Sequence, residues 1–149
     1  MKIPSWLTWA FLIVSFLGFL DATYLTVIHY SGNELNCAVI EGCNEVKNSK
    51  YAEILGIPLA LMGSLYYLCV LFLSLLYFDT RKKVLLTLIP PLTAVGFIFS
   101  LFLVYLQVFQ IQALCIYCLF SALTSTILFV LSLFILKHKR QLERDLAKE

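Results

Sequence analysis

Long apolar segments dominate the chain, and their lengths suit helices that cross a lipid bilayer. One helical crossing takes about 20 apolar residues. The first segment, uncharged apart from Asp21, predicts a helix over residues 5–30. A second uncharged stretch predicts a helix over residues 56–78. Pro58 lies near its start, where a missing amide proton costs the helix nothing.

The stretch from Val84 to Leu136 carries no formal charge and is far too long for one crossing. It must therefore turn back once, and its most polar interruption is the glutamine-rich stretch 107–112. The pattern predicts helices over residues 84–110 and 114–136, with the prolines at 90 and 91 kinking or delaying the start of the third helix.

These segments predict an all-α membrane protein, a four-transmembrane-helix bundle that forms a single domain over residues 1–149. An outer loop would cover residues 31–55, and a charged tail, helical or frayed, residues 137–149. The composition agrees, because 61% of the residues are hydrophobic and 13% are charged, whereas soluble domains carry about 25% charge. No room remains for a separate soluble domain. The net charge of +2 and the scattered basic residues argue against nucleic-acid binding. The predicted partner is therefore the lipid bilayer.

The lysines and arginines predict the orientation, because basic residues near span ends stay on the cytoplasmic side. With both termini cytoplasmic, two of the eleven basic residues, Lys47 and Lys50, lie outside. The first apolar segment exceeds the core of a signal peptide, which is about 7 to 15 residues long, and so predicts an uncleaved span in the cell membrane. The nine basic residues placed inside are Lys2, Arg81, Lys82, Lys83, Lys137, Lys139, Arg140, Arg144 and Lys148.

Four of the five cysteines are predicted on the extracytoplasmic side. Cys37 and Cys43 lie in the outer loop, and Cys115 and Cys118 form a CxxC motif where the fourth helix begins. A helix N-terminus favours a thiolate and lowers the pKa of a thiol, which suits disulfide exchange. A second pair on the same face, in a loop able to swing, favours a two-disulfide relay. Cys69 lies in the middle of the second helix and is predicted to be a small packing residue.

Two other interpretations of these cysteines stay open. They could form purely structural disulfides, or bind zinc, although the five residues between Cys37 and Cys43 exceed the usual gap of about two to four. Either would make the protein a non-enzymatic membrane scaffold or zinc-binding subunit. Replacing Cys118 by alanine separates the classes, because an enzyme would lose activity but fold, whereas a scaffold would assemble poorly.

Several polar positions are further candidates. Asp21 is the only formal charge inside a predicted helix, and intramembrane acids are functional candidates because an unpaired one is costly in lipid. It would either bond a hydroxyl such as Thr23, Ser100 or a tyrosine, or relay a proton. His29 is predicted to be an interfacial histidine. The glutamines 107, 110 and 112 would cap the outer turn. Residues 44–55 would form a short helix on the bundle, with Val46, Tyr51, Ile54 and Leu55 turned down.

In four places the chain resembles the vitamin K epoxide reductase family in its compact prokaryotic form, and the resemblance covers nearly the whole chain. The matching pieces are Tyr24-Leu25-Thr26 with His29, Cys37 to Cys43 continuing to Val46 and Ser49, Gly56-Ile57-Pro58-Leu59-Ala60 with Gly63, and Cys115 to Cys118 at the last helix. The DsbB-type oxidases differ, because their CxxC belongs to the first outer loop.

The resemblance implies a four-helix bundle around a quinone pocket, of ubiquinone or menaquinone type, near the outer face. Cys115 and Cys118 would be the active-site pair, with Cys118 facing the quinone, and Cys37 and Cys43 the shuttle pair. Electrons would pass from a thioredoxin-like, DsbA-like partner, expected to be a separate protein, to the quinone, which supports disulfide formation in exported proteins. Ser49 matches the family's loop hydroxyl near the reactive cysteines, or else bonds local backbone.

The chain departs from the vertebrate enzymes at two positions near the quinone head group. Leu59 and Ala122 stand in the neighbourhoods where those enzymes have an asparagine and a tyrosine. We therefore do not expect reduction of vitamin K epoxide. Apolar pocket side chains suit the ring and tail of a quinone but do not distinguish between quinones.

Overall fold

The computed structural model describes residues 3–37 and 42–148 of the chain. Within these residues four helices are long and apolar enough to cross a membrane, which confirms the predicted number of spans. The helical elements are α1 (Ser5–Ser31), α2 (Cys43–Asn48), α3 (Leu59–Thr80), α4 (Lys83–Tyr105) and α5 (Ile116–Leu146). A π-helical segment, Leu106–Ile111, continues α4 directly. Two short strands, β1 (Glu53–Ile54) and β2 (Ile57–Pro58), pair as a hairpin before α3.

The long helices form a bundle in which α1 packs on α3 and α5, and α4 packs on α5 and α3. We call the end of the bundle where α1 ends and α5 begins the cysteine end. The main core cluster draws on all four helices, with Leu7 and Phe11 of α1, Tyr67 and Val70 of α3, Leu86 and Ile89 of α4, and Leu128 and Ile135 of α5. Much of the remaining apolar surface is exposed on the outside of the bundle, as expected for helices that face lipid.

Helix α3 begins three residues later than predicted. Leu55 and Gly56 both have positive φ, 54° and 79°, and they form the two-residue turn between β1 and β2. Such paired left-handed residues match the twist of a tight hairpin. Pro58 precedes the helix as its N-cap, where its missing amide proton leaves no bond unmade.

The predicted short helix over residues 44–55 is wrong in extent. Helix α2 ends at Asn48 because Ser49 adopts an extended conformation, and the hairpin follows. Val46 and Tyr51 lie against the bundle as predicted, but Leu55 stands at the hairpin tip and is 97% exposed, and Ile54 is also exposed. Residues 38–41 of the predicted outer loop lie outside the described residues.

Helices α4 and α5 also differ from expectation. Helix α4 begins at Lys83 and runs through Pro90 and Pro91, so these prolines do not delay its start. Helix α5 continues to Leu146, ten residues beyond its predicted end, through much of the charged tail. That stretch contains no glycine or proline and is rich in good helix formers, so nothing in it stops the helix where the apolar residues end.

Candidate active site

The CxxC motif opens α5 as predicted. Cys115 is the N-cap of the helix, and its Sγ accepts a hydrogen bond from the backbone N–H of Cys118 at 3.4 Å. The sulfur therefore takes the place that a serine or aspartate oxygen usually occupies at a helix start. Cys115 is buried and Cys118 is half-buried, and both thiols are free.

Gln107 holds this motif from the preceding π-helical segment. Its side-chain Oε1 accepts a hydrogen bond from the Cys115 backbone N–H at 3.2 Å, and its backbone carbonyl accepts one from Ala113 at 3.2 Å. The chain reverses at Gln112, which has a φ of 56°. The predicted capping role is confirmed for Gln107, which is 3% exposed.

The environment of Cys115 favours its thiolate. The side-chain hydrogen bond from Cys118 is the largest influence, and the backbone N–H groups of Cys118 and Tyr117 add to it. Burial opposes them, but the net effect lowers the pKa of Cys115 from 9.0 to about 7. A larger share of Cys115 than of an ordinary cysteine is therefore nucleophilic thiolate at neutral pH.

We expect the ultraviolet absorbance of the Cys115 thiolate to appear with a midpoint near pH 7 when the reduced protein is titrated. The absorbance should rise as the pH increases through the pKa, because deprotonation creates the absorbing thiolate. The difference between the unsubstituted protein and Cys115→Ser isolates this thiol. Cys118→Ala should move the midpoint upward, because it removes the strongest stabilising hydrogen bond. A midpoint near 9 in the unsubstituted protein would contradict the prediction.

The loop cysteines approach the CxxC motif at the cysteine end. Cys37 and Cys43 are disulfide-bonded, with their Cα atoms 6.4 Å apart. Cys43 and Cys115 are each 1% exposed and belong to one buried cluster with Leu35, against which Cys37 and Cys118 also pack. The structure therefore brings together all four predicted site cysteines.

Two residues that sequence analysis did not single out hold the cysteine loop in place. Asn44 accepts a hydrogen bond from the Leu35 backbone N–H at 2.8 Å through its side-chain oxygen. Gly42 lies directly on the backbone of Leu114, so that a Cβ on Gly42 would stand 2.6 Å from the Leu114 oxygen and 2.7 Å from its nitrogen. A glycine directly before a cysteine was the available signal, since glycine permits close backbone approach.

An apolar cavity of about 340 Å³ extends from the cysteines between the helices. Cys43, Cys115 and Cys118 line it at the cysteine end. Further lining residues come from α3 and α4, among them Leu59, Met62, Tyr66, Val95, Phe99 and Leu103. Met62 and Val95 are also exposed on the outer surface of their helices, so part of the cavity rim faces the surroundings of the bundle. The volume and lining suit a flat organic ring with an apolar tail.

The segment between the cysteine loop and α3 covers part of this cavity. Val46, Ser49, Tyr51 and Ala52 all line it. The hydroxyl of Ser49 donates to the Val46 carbonyl at 2.8 Å, which is the local backbone bond that sequence analysis left open. Ser49 is thus at the cavity, with its proton directed to backbone.

Asp21 and Cys69 have different surroundings from those predicted for them, whereas the interfacial position of His29 stays a prediction. The Oδ2 atom of Asp21 is buried and has no hydrogen-bond partner within residues 3–37 and 42–148. Thr23, one of the predicted partners of Asp21, instead lies 3.3 Å from Ser64.

His29 lies 2.9 Å from Glu53 of the hairpin and lines the cavity. Cys69 is exposed on the outer surface of α3, so its prediction as a small packing residue is wrong. The proton-relay role of Asp21 stays a prediction.

Comparison with known proteins identifies the family. Residues 9–133 match the vitamin K epoxide reductase family. The thiol-disulfide oxidoreductase LTO1 of Arabidopsis thaliana is 33% identical over 121 residues, which cover 76% of this chain and 32% of that protein. The chain thus spans about a third of the length of this curated relative. Since the match covers most of the chain, including all four cysteines at the cysteine end, the protein belongs to the vitamin K epoxide reductase family.

Proposed function

We propose that the protein is a membrane thiol-disulfide oxidoreductase that passes electrons from a thioredoxin-like protein to a quinone. The observation that carries this proposal is the convergence of a disulfide, Cys37–Cys43, and a CxxC pair, Cys115 and Cys118, on the wall of one apolar cavity. The Arabidopsis relative, a thiol-disulfide oxidoreductase by name, agrees with this proposal.

The four cysteines suit two successive exchanges. The reduced partner first attacks the Cys37–Cys43 disulfide, so that the partner gains a disulfide and the loop pair becomes a dithiol. The loop dithiol then attacks a Cys115–Cys118 disulfide, so that one S–S bond forms as the other breaks. The product of this second exchange has an oxidised loop pair and a reduced CxxC pair, which is the combination of states in the structure.

Burial supports different tasks for the two loop cysteines. Cys43 lies at the centre of the buried cluster with Cys115, whereas Cys37 is only half-buried. We assign the exchange with Cys115 to Cys43 and the contact with the partner protein to Cys37. The sulfur of Cys115 is attacked in one exchange and attacks in another. Its pKa of about 7 suits both roles, because a thiol of low pKa is a good nucleophile and a good leaving group at neutral pH.

Cys118 and the cavity suit the last step. Cys118 lines the cavity, whose other walls are mainly apolar. When bound there, a quinone of ubiquinone or menaquinone type supplies the oxidising power, because it takes up two electrons and two protons to become the quinol. Cys115 and Cys118 release those electrons and protons as their disulfide re-forms. Leu59 and Ala122 both line the cavity and offer no polar group to a ligand.

The distribution of basic residues supports an extracytoplasmic location for the activity. Of the ten lysines and arginines in residues 3–37 and 42–148, eight lie at or beyond the helix ends opposite the cysteines. By the positive-inside rule these ends, with both termini, are cytoplasmic. The cysteine end then faces the extracytoplasmic side of the cell membrane, where a thioredoxin-like, DsbA-like partner can deliver disulfides to exported proteins.

The redox state of each cysteine in native membranes tests the proposal. We expect the two site pairs to change between thiol and disulfide when the quinone pool is oxidised and then reduced, while Cys69 stays a thiol. Mass-tagged alkylation of single Cys→Ser variants measures each position. If all four site cysteines keep one state under both conditions, their role is structural and the oxidoreductase proposal fails.

A further inference from the structure

The proton balance of the last step requires a proton from outside the CxxC pair. Reduction of a quinone consumes two electrons and two protons, and the pair supplies both electrons when its disulfide re-forms. The pKa of Cys115 is about 7, so at neutral pH this thiol has in many molecules already released its proton to water. Cys118 then holds the one proton that remains on the pair. A second proton must reach the cavity from water.

His29 and Glu53 lie between the outer surface and the cavity. Glu53 is on strand β1, and its side chain is 48% exposed. His29 is in the last turn of α1, is 20% exposed and lines the cavity with Cys43, Cys115 and Cys118. The Nε2 atom of His29 lies 2.9 Å from Oε1 of Glu53, which is within hydrogen-bond distance. The His29 ring therefore contacts an exposed carboxylate and forms part of the cavity wall.

The bond to Glu53 uses one of the two ring nitrogens of His29. Within residues 3–37 and 42–148 the other nitrogen, Nδ1, has no hydrogen-bond partner, and the ring meets Tyr30 edge-on with the ring centroids 5.8 Å apart. Histidine gains and loses a proton near neutral pH, and its protonated ring carries a donor on each nitrogen. A carboxylate bonded to one nitrogen fixes the orientation of the ring and stabilises its protonated form. His29 is thus equipped to donate a proton from Nδ1.

Three other polar side chains of the cavity wall are bonded to backbone. Lys47 donates to the Asn33 carbonyl at 2.6 Å, and Ser49 donates to the Val46 carbonyl at 2.8 Å. Gln107 accepts a hydrogen bond from the Cys115 backbone N–H. His29 differs from them, because its partner is a carboxylate and its second nitrogen is free among the described residues.

We infer that His29 is the general acid of quinone reduction and donates a proton to a carbonyl oxygen of the quinone that binds in this cavity. This inference rests on the proposed function. As the S–S bond between Cys115 and Cys118 forms, two electrons pass to the quinone. The proton of Cys118 goes to one quinol oxygen. The N–H bond of protonated His29 breaks as an O–H bond forms on the other oxygen, and His29 regains its proton from water.

The contact with Glu53 also fastens the hairpin to α1, and substitutions separate this structural role from proton donation. His29→Gln keeps a side-chain amide that can donate to Glu53 but supplies no acidic proton. His29→Ala removes the ring and leaves space for free imidazole. The matched control is His138→Gln, which makes the same substitution at an exposed position near the opposite end of the bundle.

Each protein is placed in nanodiscs of quinone-free phospholipid with its CxxC pair reduced, and is mixed rapidly with ubiquinone-1. Absorbance measures the rate at which the quinone is reduced in a single turnover. Titration of the oxidised protein gives the Kd for ubiquinone-1, and hydrogen exchange reports whether the hairpin stays in place.

We expect His29→Gln to slow quinone reduction about a hundredfold or more, the usual effect of losing a general acid. Its Kd and its hairpin protection should equal those of the unsubstituted protein, and His138→Gln should match that protein throughout. Added imidazole should accelerate His29→Ala about tenfold or more, because it replaces the missing acid.

An unchanged rate in His29→Gln would overturn the inference. A slow His29→Ala protein that imidazole does not accelerate would also overturn it, since the histidine would then act only by holding the hairpin. In both cases, reduction of ubiquinone-1 by the unsubstituted protein leaves the proposed function standing. If the unsubstituted protein does not reduce ubiquinone-1, the proposed function fails together with the inference.

Discussion

Cys118→Ala is expected to reduce quinone-dependent oxidation of a dithiol substrate by about a thousandfold or more, to the uncatalysed background. A single remaining thiol, that of Cys115, cannot form the intramolecular disulfide that releases two electrons. Steady-state turnover with a reduced thioredoxin-like protein and ubiquinone-1 measures the loss. The same variant should accumulate a mixed disulfide between Cys43 and Cys115, which non-reducing electrophoresis of a proteolytic digest detects.

The fold should survive this substitution. Cys118 is only half-buried, and the bond that its backbone N–H donates to Cys115 does not depend on its side chain. Cys69→Ala is the matched control, since it removes an exposed thiol on the outer surface of α3. A Cys118→Ala protein that aggregates or loses its helices would favour the scaffold hypothesis, and one that keeps full turnover would exclude the relay.

Gly42→Ala is expected to slow disulfide exchange between the loop pair and the CxxC pair by about tenfold or more. Gly42 has an ordinary helical φ of −84°, so an alanine there meets no backbone strain. Its Cβ would instead press on the Leu114 oxygen and nitrogen at 2.6 and 2.7 Å, and a backbone cannot rotate away as a side chain does. The loop must then lift, which carries Cys43 away from Cys115. A shift of about 1 Å between reacting groups can cost about a hundredfold in rate.

Rapid mixing, acid quenching and alkylation measure this exchange after the loop pair is reduced selectively. Gly32→Ala is the control within the same loop, since a Cβ there meets nothing within 4 Å. Its φ of 69° should make the control about 1 kcal/mol less stable while exchange stays at the rate of the unsubstituted protein. An unchanged exchange rate in Gly42→Ala would mean that the contact with Leu114 does not position Cys43.

Most of the helical architecture could be predicted from the sequence. A span reveals itself in the polarity of consecutive residues, because each residue of a membrane helix meets lipid or another apolar helix. Predicted and observed starts agree for α1 at residue 5 and differ by one residue for α4. The CxxC motif at the start of α5 was equally visible, because the motif and the helix start are local in sequence.

The hairpin before α3 could not be predicted in the same way. Its turn places Leu55, a bulky residue, at a φ of 54°, a conformation that sequence patterns assign to glycine or asparagine. The exposure of Cys69 was also hidden, because every face of α3 is apolar and the sequence does not distinguish its lipid face from its core face.

The sequence by itself determined the four spans, the distribution of basic residues and the pairing of a CxxC motif with a helix start, because each depends on neighbours along the chain. Only the tertiary structure decided which side chains share the site. Gly42 meets Leu114, and Tyr66 meets Gly96, across long intervals of sequence. Such contacts follow from how closely the helices pack. These distances cannot be predicted from the polarity of neighbouring residues.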